Sequence, residues 1–187
     1  MQADFAVELG ADDETLEFPW ADEKGDLRYY DVKRHPDLLS KILEAERAPA
    51  LREFLSAMNS AGSVLETAKC DVWASSEINP EEEIFGGRYK FGSYVDLLFA
   101  DEHARREFPR HEELARRLSA LLKKAPEIPA SAEFLVRRCY YHQADEILTG
   151  FYVTCYVFGY GEDEAQAHQR WAIALKLVEN AIRQAIS

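Results

Sequence analysis

Two histidines and a glutamate at four-residue spacing are the first group in this sequence that could do chemistry. On an unbroken helix, His103, Glu107 and His111 would share one face and could hold a divalent metal ion. Pro109 lies inside this span, where a proline removes a backbone donor and interrupts the helix. A solvated, charged helix is therefore the favoured interpretation, and no metal site is predicted.

His142 is the second candidate, because a histidine beside a carboxylate can act as a general base. Asp145 and Glu146 follow it on a predicted loop, whereas strand alternation turns Cys139 to the opposite face. The sequence places no serine or cysteine nucleophile beside this histidine. It also contains no phosphate-binding loop, dinucleotide fingerprint, GxSxG elbow or HExxH pair. These observations favour a protein that is not an enzyme and that uses no cofactor.

Aromatic and arginine side chains on two successive predicted strands are the strongest candidates for a binding surface. If helices cover the side of the last strand that bears Val153, Cys155 and Val157, its other side presents a row of aromatic residues. The preceding strand would add polar and aromatic residues to the same face, and tyrosine and arginine are the residues that anchor interfaces. The predicted binding residues are Arg138, Tyr140, His142, Tyr152, Tyr156 and Tyr160.

Three interpretations of this predicted face stay open. It could be a self-association surface, since a monomer rarely leaves a large aromatic patch exposed. It could be the wall of a small-molecule pocket, with polar groups that direct the ligand. It could also be packed on both sides, if residues 1–33 fold across the sheet.

Hydrophobic periodicity predicts the elements that position this face. Alternation of apolar and polar residues predicts strands over 64–74, 89–99, 132–143 and 150–161. Helical spacing of apolar residues predicts helices over 36–48, 49–58, 109–124 and 164–185. Near the start, TLEFPW and LRYYDVK flank a turn signal and are predicted to pair as a hairpin.

The order strand, strand, helix thus occurs three times. We expect a single α+β domain over residues 1–187: an antiparallel sheet of about six strands built from ββα units, with helices packed on one face. A short match between the last two units hints at an internal duplication, but chance similarity is favoured over a true repeat.

Composition excludes several classes of protein. The chain has 187 residues, 47% of them hydrophobic, and a net charge of -12. Residues 1–26 hold nine acidic side chains and one basic one, so this segment is expected to lie at the periphery. An acidic surface argues against nucleic acid as the main partner, because phosphate binding needs concentrated positive charge. Three cysteines without a CxxC pattern favour reduced, buried thiols over disulfides.

The chain contains no apolar stretch long enough for a membrane helix, and its first residues lack a basic signal-peptide region. A cytoplasmic location is therefore expected. The favoured function is a non-enzymatic protein-interaction domain, resembling small adaptors, chaperones or immunity proteins only in charge, size and order of layers. It would form a homo-oligomer or bind a more basic protein partner. The alternative is a small-molecule-binding or hydrolytic domain whose pocket is bounded by the same aromatic residues and His142.

Overall fold

The structure is a computed structural model that describes residues 1–186, and its sheet and helices confirm the predicted α+β class. The strands are β1 (Gln2–Glu8), β2 (Thr15–Phe18), β3 (Leu65–Ser75), β4 (Tyr89–Phe99), β5 (Ala130–Gln143) and β6 (Glu146–Gly161). The α-helices are α1 (Leu43–Arg47), α2 (Pro49–Met58), α3 (Phe108–Leu122) and α4 (Glu164–Ala185). Short 3-10 segments cover Pro36–Lys41, Pro80–Phe85 and Ala104–Arg106.

Most predicted elements lie where the periodicity placed them; the exceptions are the strand predicted over 27–33 and the helix predicted over 36–48. The helix predicted over 36–48 is a 3-10 turn followed by the five-residue α1, because Ile42 between them has an extended backbone. Helix α4 begins after Asp163, whose side chain accepts a hydrogen bond from the backbone of Gln166 at 2.8 Å. That contact satisfies one of the donors that every helix start leaves open.

The sheet is mixed, so the prediction of a purely antiparallel sheet is wrong. Its strand order is β1-β5-β6-β4-β3, and β2 also pairs with β5. Strands β1 and β2 follow one another along the outer edge of β5, against residues 131–137 and 138–141, and both run parallel to it. The predicted threefold series of ββα units is not seen, since residues 27–33 form no strand that pairs with β2.

The hairpin predicted between TLEFPW and LRYYDVK is present only at its turn. Ala21 and Arg28 form an antiparallel bridge there, and the backbone N–H of Tyr29 donates to the carbonyl of Trp20 at 2.9 Å, but residues 27–33 form no strand. Beyond β2, the chain leaves the β5 edge and crosses the sheet to the opposite edge, where Trp20 Nε1 donates to the carbonyl of Ala68 in β3 at 3.0 Å. We call residues 15–30 the N-terminal cover.

Helices α2, α3 and α4 cover one side of the sheet, here called the helix face. The main hydrophobic core lies there, and Trp171 of α4 is fully buried in it. Its sheet side is formed by alternating apolar residues of the central strands, including Val95, Val136 and Val153. None of the helices in residues 1–186 combines the length and apolar character needed to cross a membrane.

The other side of the sheet, here called the second face, carries a smaller core beneath the N-terminal cover. Leu16 and Phe18 of β2 pack there with Tyr141 and Tyr152. Arg105 holds this layer: its guanidinium lies over the rings of Phe18 and Tyr141, with 5.3 and 5.1 Å to the ring centroids. Two-sided packing, one of the three open interpretations, is therefore correct for this part of the face.

Candidate functional site

The six predicted binding residues do not share one face of the sheet. The β5–β6 turn pairs Gln143 with Glu146, so every even-numbered residue of β5 lies opposite an odd-numbered residue of β6. Directly opposed residues point to the same side of a sheet. Arg138, Tyr140 and His142 therefore lie on the helix-face side, whereas Tyr152, Tyr156 and Tyr160 lie on the second face.

Two of the three residues of β5 have polar partners from the N-terminal segment. Arg138 Nη2 donates to the carbonyl of Leu9 at 3.1 Å. His142 is exposed, and its Nε2 lies 2.5 Å from a carboxylate oxygen of Glu17 in β2. The carboxylate beside His142 is therefore Glu17 and not Asp145, which had been the expected partner.

Two of the three β6 tyrosines are inaccessible. Tyr152 is 1% exposed beneath the N-terminal cover. Tyr160 is 2% exposed, because Phe85 of the segment Pro80–Phe85 stacks on it with 4.2 Å between ring centroids. Its hydroxyl donates to Glu82 at 3.0 Å. Among the predicted set, Tyr156 alone lies on a part of the second face that neither segment covers.

Around Tyr156 lies a run of half-buried aromatic rings. Their centroids are 5.9 Å apart for Trp73–Phe158, 5.8 Å for Tyr94–Tyr156 and 6.2 Å for Tyr156–Phe158, and the last two rings are stacked. Gly92 lies beneath them, where an added Cβ would come within 2.7 Å of the Phe158 ring. We call Trp73, Tyr94, Tyr156 and Phe158 the aromatic strip.

Carboxylates border the aromatic strip on both sides. Asp71 lies directly opposite Tyr94, and Glu133 lies directly opposite Tyr156, so each shares the second face with its partner. Both acids are exposed, and neither forms an ion pair with any residue in 1–186. Burial and the neighbouring charges of Asp96 and Asp71 raise the pKa of the Tyr94 phenol above its usual range.

The cations nearest the strip are engaged with other groups. Arg137 donates to Glu8 at 2.7 Å and to Glu14 at 2.8 Å. Lys90 forms an ion pair with Glu82 at 2.9 Å. Arg137 and Lys90 are therefore held in ion pairs, whereas the two rim acids are not. The remaining cation near the strip, Lys69, lies over the ring of Trp20, with its Nζ 5.2 Å from the centroid.

A buried carboxyl group lies at the end of the strip next to the N-terminal cover. Asp96 is 3% exposed, and its Oδ1 accepts a hydrogen bond from the hydroxyl of Thr154 at 2.8 Å. Thr154 in turn accepts a hydrogen bond from Arg137 at 3.3 Å. Burial raises the pKa of Asp96 to about 7, although the hydrogen bond from Thr154 opposes that shift.

The other residues that were considered for chemistry lie apart from the strip, each in its own surroundings. Burial raises the pKa of the Cys139 thiol to about 12, so it is protonated and unreactive at neutral pH. His103 pairs with Glu107 at 3.0 Å, while His111 is fully buried against the ring of Phe99. The two histidines that were considered as metal ligands are thus kept apart.

Compared with protein families, curated proteins and solved structures, the chain shows no match.

Sequence reasoning missed the neighbours of Tyr156 that complete the strip, although the signal was present. Alternation along β3 and β4 places Trp73, Tyr94 and Asp96 on a common side. That side was interpreted as the polar surface of a half-buried hairpin. Pairing of β4 with β6, which joins the two hairpins in one sheet, brings these residues beside Tyr156.

Proposed function

We propose that this protein is a non-enzymatic protein-interaction domain, and that its aromatic strip binds a basic segment of a partner protein. The observation that carries the proposal is the unbroken run of half-buried rings from Trp73 to Phe158, bordered by unpaired carboxylates. Aromatic side chains supply most of the binding energy at protein interfaces. A cytoplasmic location stays a prediction.

Charge selects a basic partner over a second copy of this chain. A two-fold contact through the strip would place Asp71 and Glu133 of one copy near the same carboxylates of the other. Repulsion between them would oppose such a dimer. Lysine and arginine side chains on a partner would instead meet these carboxylates and could lie over the faces of Trp73 and Tyr94.

The alternative function, a pocket bounded by the same aromatic residues and His142, has lost its geometric basis. His142 lies on the helix-face side of the sheet, and the strip lies on the second face. One ligand cannot contact both without passing through the backbone of the sheet. We therefore propose binding across the strip and not within a pocket that His142 lines.

The test compares a basic and an acidic synthetic peptide of equal length, one of alternating lysine and serine and one of alternating glutamate and serine. Binding is followed by the NMR shift of the Trp73 indole proton. Tyr156→Ala is expected to lower the affinity for the lysine peptide about tenfold or more, as expected for the loss of an interface anchor.

Tyr140→Ala is the matched control, because Tyr140 is equally half-buried in the same sheet but lies on the other face. It is expected to leave the affinity unchanged. Equal affinities of the two variants, or a wild-type protein that prefers the acidic peptide, would overturn the proposed function.

A further inference from the structure

We propose that Asp96 is the anchor of this surface, where it binds the ammonium group of a lysine side chain in the partner's basic segment. The inference rests on the proposed function and adds to it a specific recognition site. The site lies at the end of the aromatic strip, between Tyr94 and the N-terminal cover.

The first argument is the small number of hydrogen bonds to this carboxyl group. Oδ1 of Asp96 accepts from Thr154, and no other hydrogen bond to the carboxyl group comes from residues 1–186. A donor from outside the chain would complete the coordination of this group.

The second argument is that no cation of the described chain fills this role. Arg137 is held by Glu8, Glu14 and Thr154. Lys69 lies over the ring of Trp20, with its Nζ 5.2 Å from the centroid. Neither forms an ion pair with Asp96, so the carboxylate is available for a cation from outside.

The third argument is the path that the strip provides. Tyr94 and Asp96 are alternate residues on one face of β4, and their Cα atoms are therefore about 7 Å apart. A lysine stem can lie on the rings of Tyr94 and Tyr156 while its ammonium group reaches the carboxylate. Asp96 is almost closed off from solvent, which suits a compact ammonium on a flexible stem better than a planar guanidinium.

The site makes binding depend on pH. The groups that face Asp96 are Thr154 of β6, Lys69 of β3, Arg137 of β5 and Glu14 from the loop before β2. With a pKa of about 7, Asp96 is mostly neutral at pH 6 and mostly ionised at pH 8. Since lysine prefers the ionised form, its affinity should rise about tenfold over this interval.

The experiment measures the affinity of the lysine–serine peptide at pH 6 and pH 8 for the wild-type protein and for Asp96→Asn. The variant is expected to bind about tenfold more weakly than wild type at pH 8 and to lose the dependence on pH. Asp37→Asn removes the same charge from an exposed position on the Pro36–Lys41 segment and should keep the full dependence. Replacing the lysines of the peptide by norleucine should abolish the pH effect in every protein.

The outcomes separate this inference from the proposed function. If Tyr156→Ala weakens binding but Asp96→Asn keeps the affinity and pH dependence of wild type, the anchor is wrong and the surface stands. If the wild-type protein does not bind the lysine peptide at either pH, both are wrong. Should Asp96→Asn fail to fold, a carbon NMR titration of the Asp96 carboxyl decides, because bound peptide must lower its pKa.

Discussion

The two faces of the sheet are covered in different ways. On the helix face, α2, α3 and α4 form a continuous layer over the main core. On the second face, the N-terminal cover and the segment Pro80–Phe85 protect the two ends and leave the aromatic strip between them half-exposed. A continuous cover gives stability, whereas an interrupted one leaves apolar surface that only another molecule can bury.

The second face treats its buried acidic groups in two ways. The second face buries Glu66 in an ion pair with Arg105 at 2.5 Å, and it ties Glu8 to Arg137. Asp96 is the exception there, because it is buried without a cationic partner. Buried ionisable groups with shifted pKa values are concentrated at functional sites, which is why we connect Asp96 with binding.

The largest expected difference between the faces is the loss of stability when a glycine under each of them is replaced by alanine. Gly159 lies under α4, where an added Cβ would overlap the backbone nitrogen of Trp171 and come within 2.5 Å of the Ala167 carbonyl. Gly92 lies under the aromatic strip, where an added Cβ would meet the ring ends of Phe158 at 2.7 Å and Trp73 at 3.1 Å. Gly159→Ala should lower the free energy of unfolding by about 4 kcal/mol or more, since helix and sheet must separate.

Gly92→Ala should cost only about 1 kcal/mol, because side-chain rings can turn aside while backbones cannot. Urea unfolding of both variants measures the difference. Equal losses of stability would mean that the second face is packed as rigidly as the helix face, and the comparison would fail.

The next prediction is that Asp96, on the second face, makes the stability of the protein depend on pH. Its pKa is 3.8 in the unfolded chain and about 7 in the folded protein, so the folded state binds this proton more tightly. The stability contributed by the proton is present below the unfolded value and is lost as the pH rises through about 7.

Relative to Asp96→Asn, the wild-type protein should lose about 3 kcal/mol of stability between about pH 5 and pH 8. Urea unfolding at a series of pH values gives this difference directly. A difference that stays constant with pH would show that Asp96 is not held in its neutral form.

How the faces are divided could be predicted from the sequence only in part. Alternation within a strand is local, and it correctly separated Val153 from Tyr152 and Val95 from Tyr94. The match between strands is not local: pairing Gln143 with Glu146 decides which side of β5 joins the tyrosines of β6. A shift of one residue in that turn would have reversed the outcome.

The parallel edge was beyond sequence reasoning for a related reason. Strand β1 is more than a hundred residues from β5 in the chain, and no turn signal marks their pairing. Nearby segments were therefore expected to form a hairpin. The covers that bury Tyr152 and Tyr160 depend on the same distant contacts, which is why Tyr156 is the only one of the three predicted β6 tyrosines that is accessible.

The smallest predicted effect is a pH dependence of stability caused by a residue on the helix face, and its sign is opposite to that caused by Asp96. His111 of α3 is fully buried, and its Nδ1 lies 3.0 Å from the carbonyl oxygen of Glu107, to which it donates when neutral. Burial lowers its pKa to about 4 from 6.5, so the unfolded chain binds this proton more tightly. Stability should therefore fall as the pH drops below about 6.5.

Relative to His111→Leu, the wild-type protein should lose about 2 kcal/mol between about pH 7 and pH 5. His103→Leu is the matched control, because it removes an exposed imidazole and leaves the buried one in place. The loss from His111 on acidification and the loss from Asp96 on alkalinisation partly cancel in the wild-type protein, so only the two variants reveal them. If His111→Leu shows the same pH profile as wild type, the helix face carries no buried titrating group and the contrast in sign between the faces disappears.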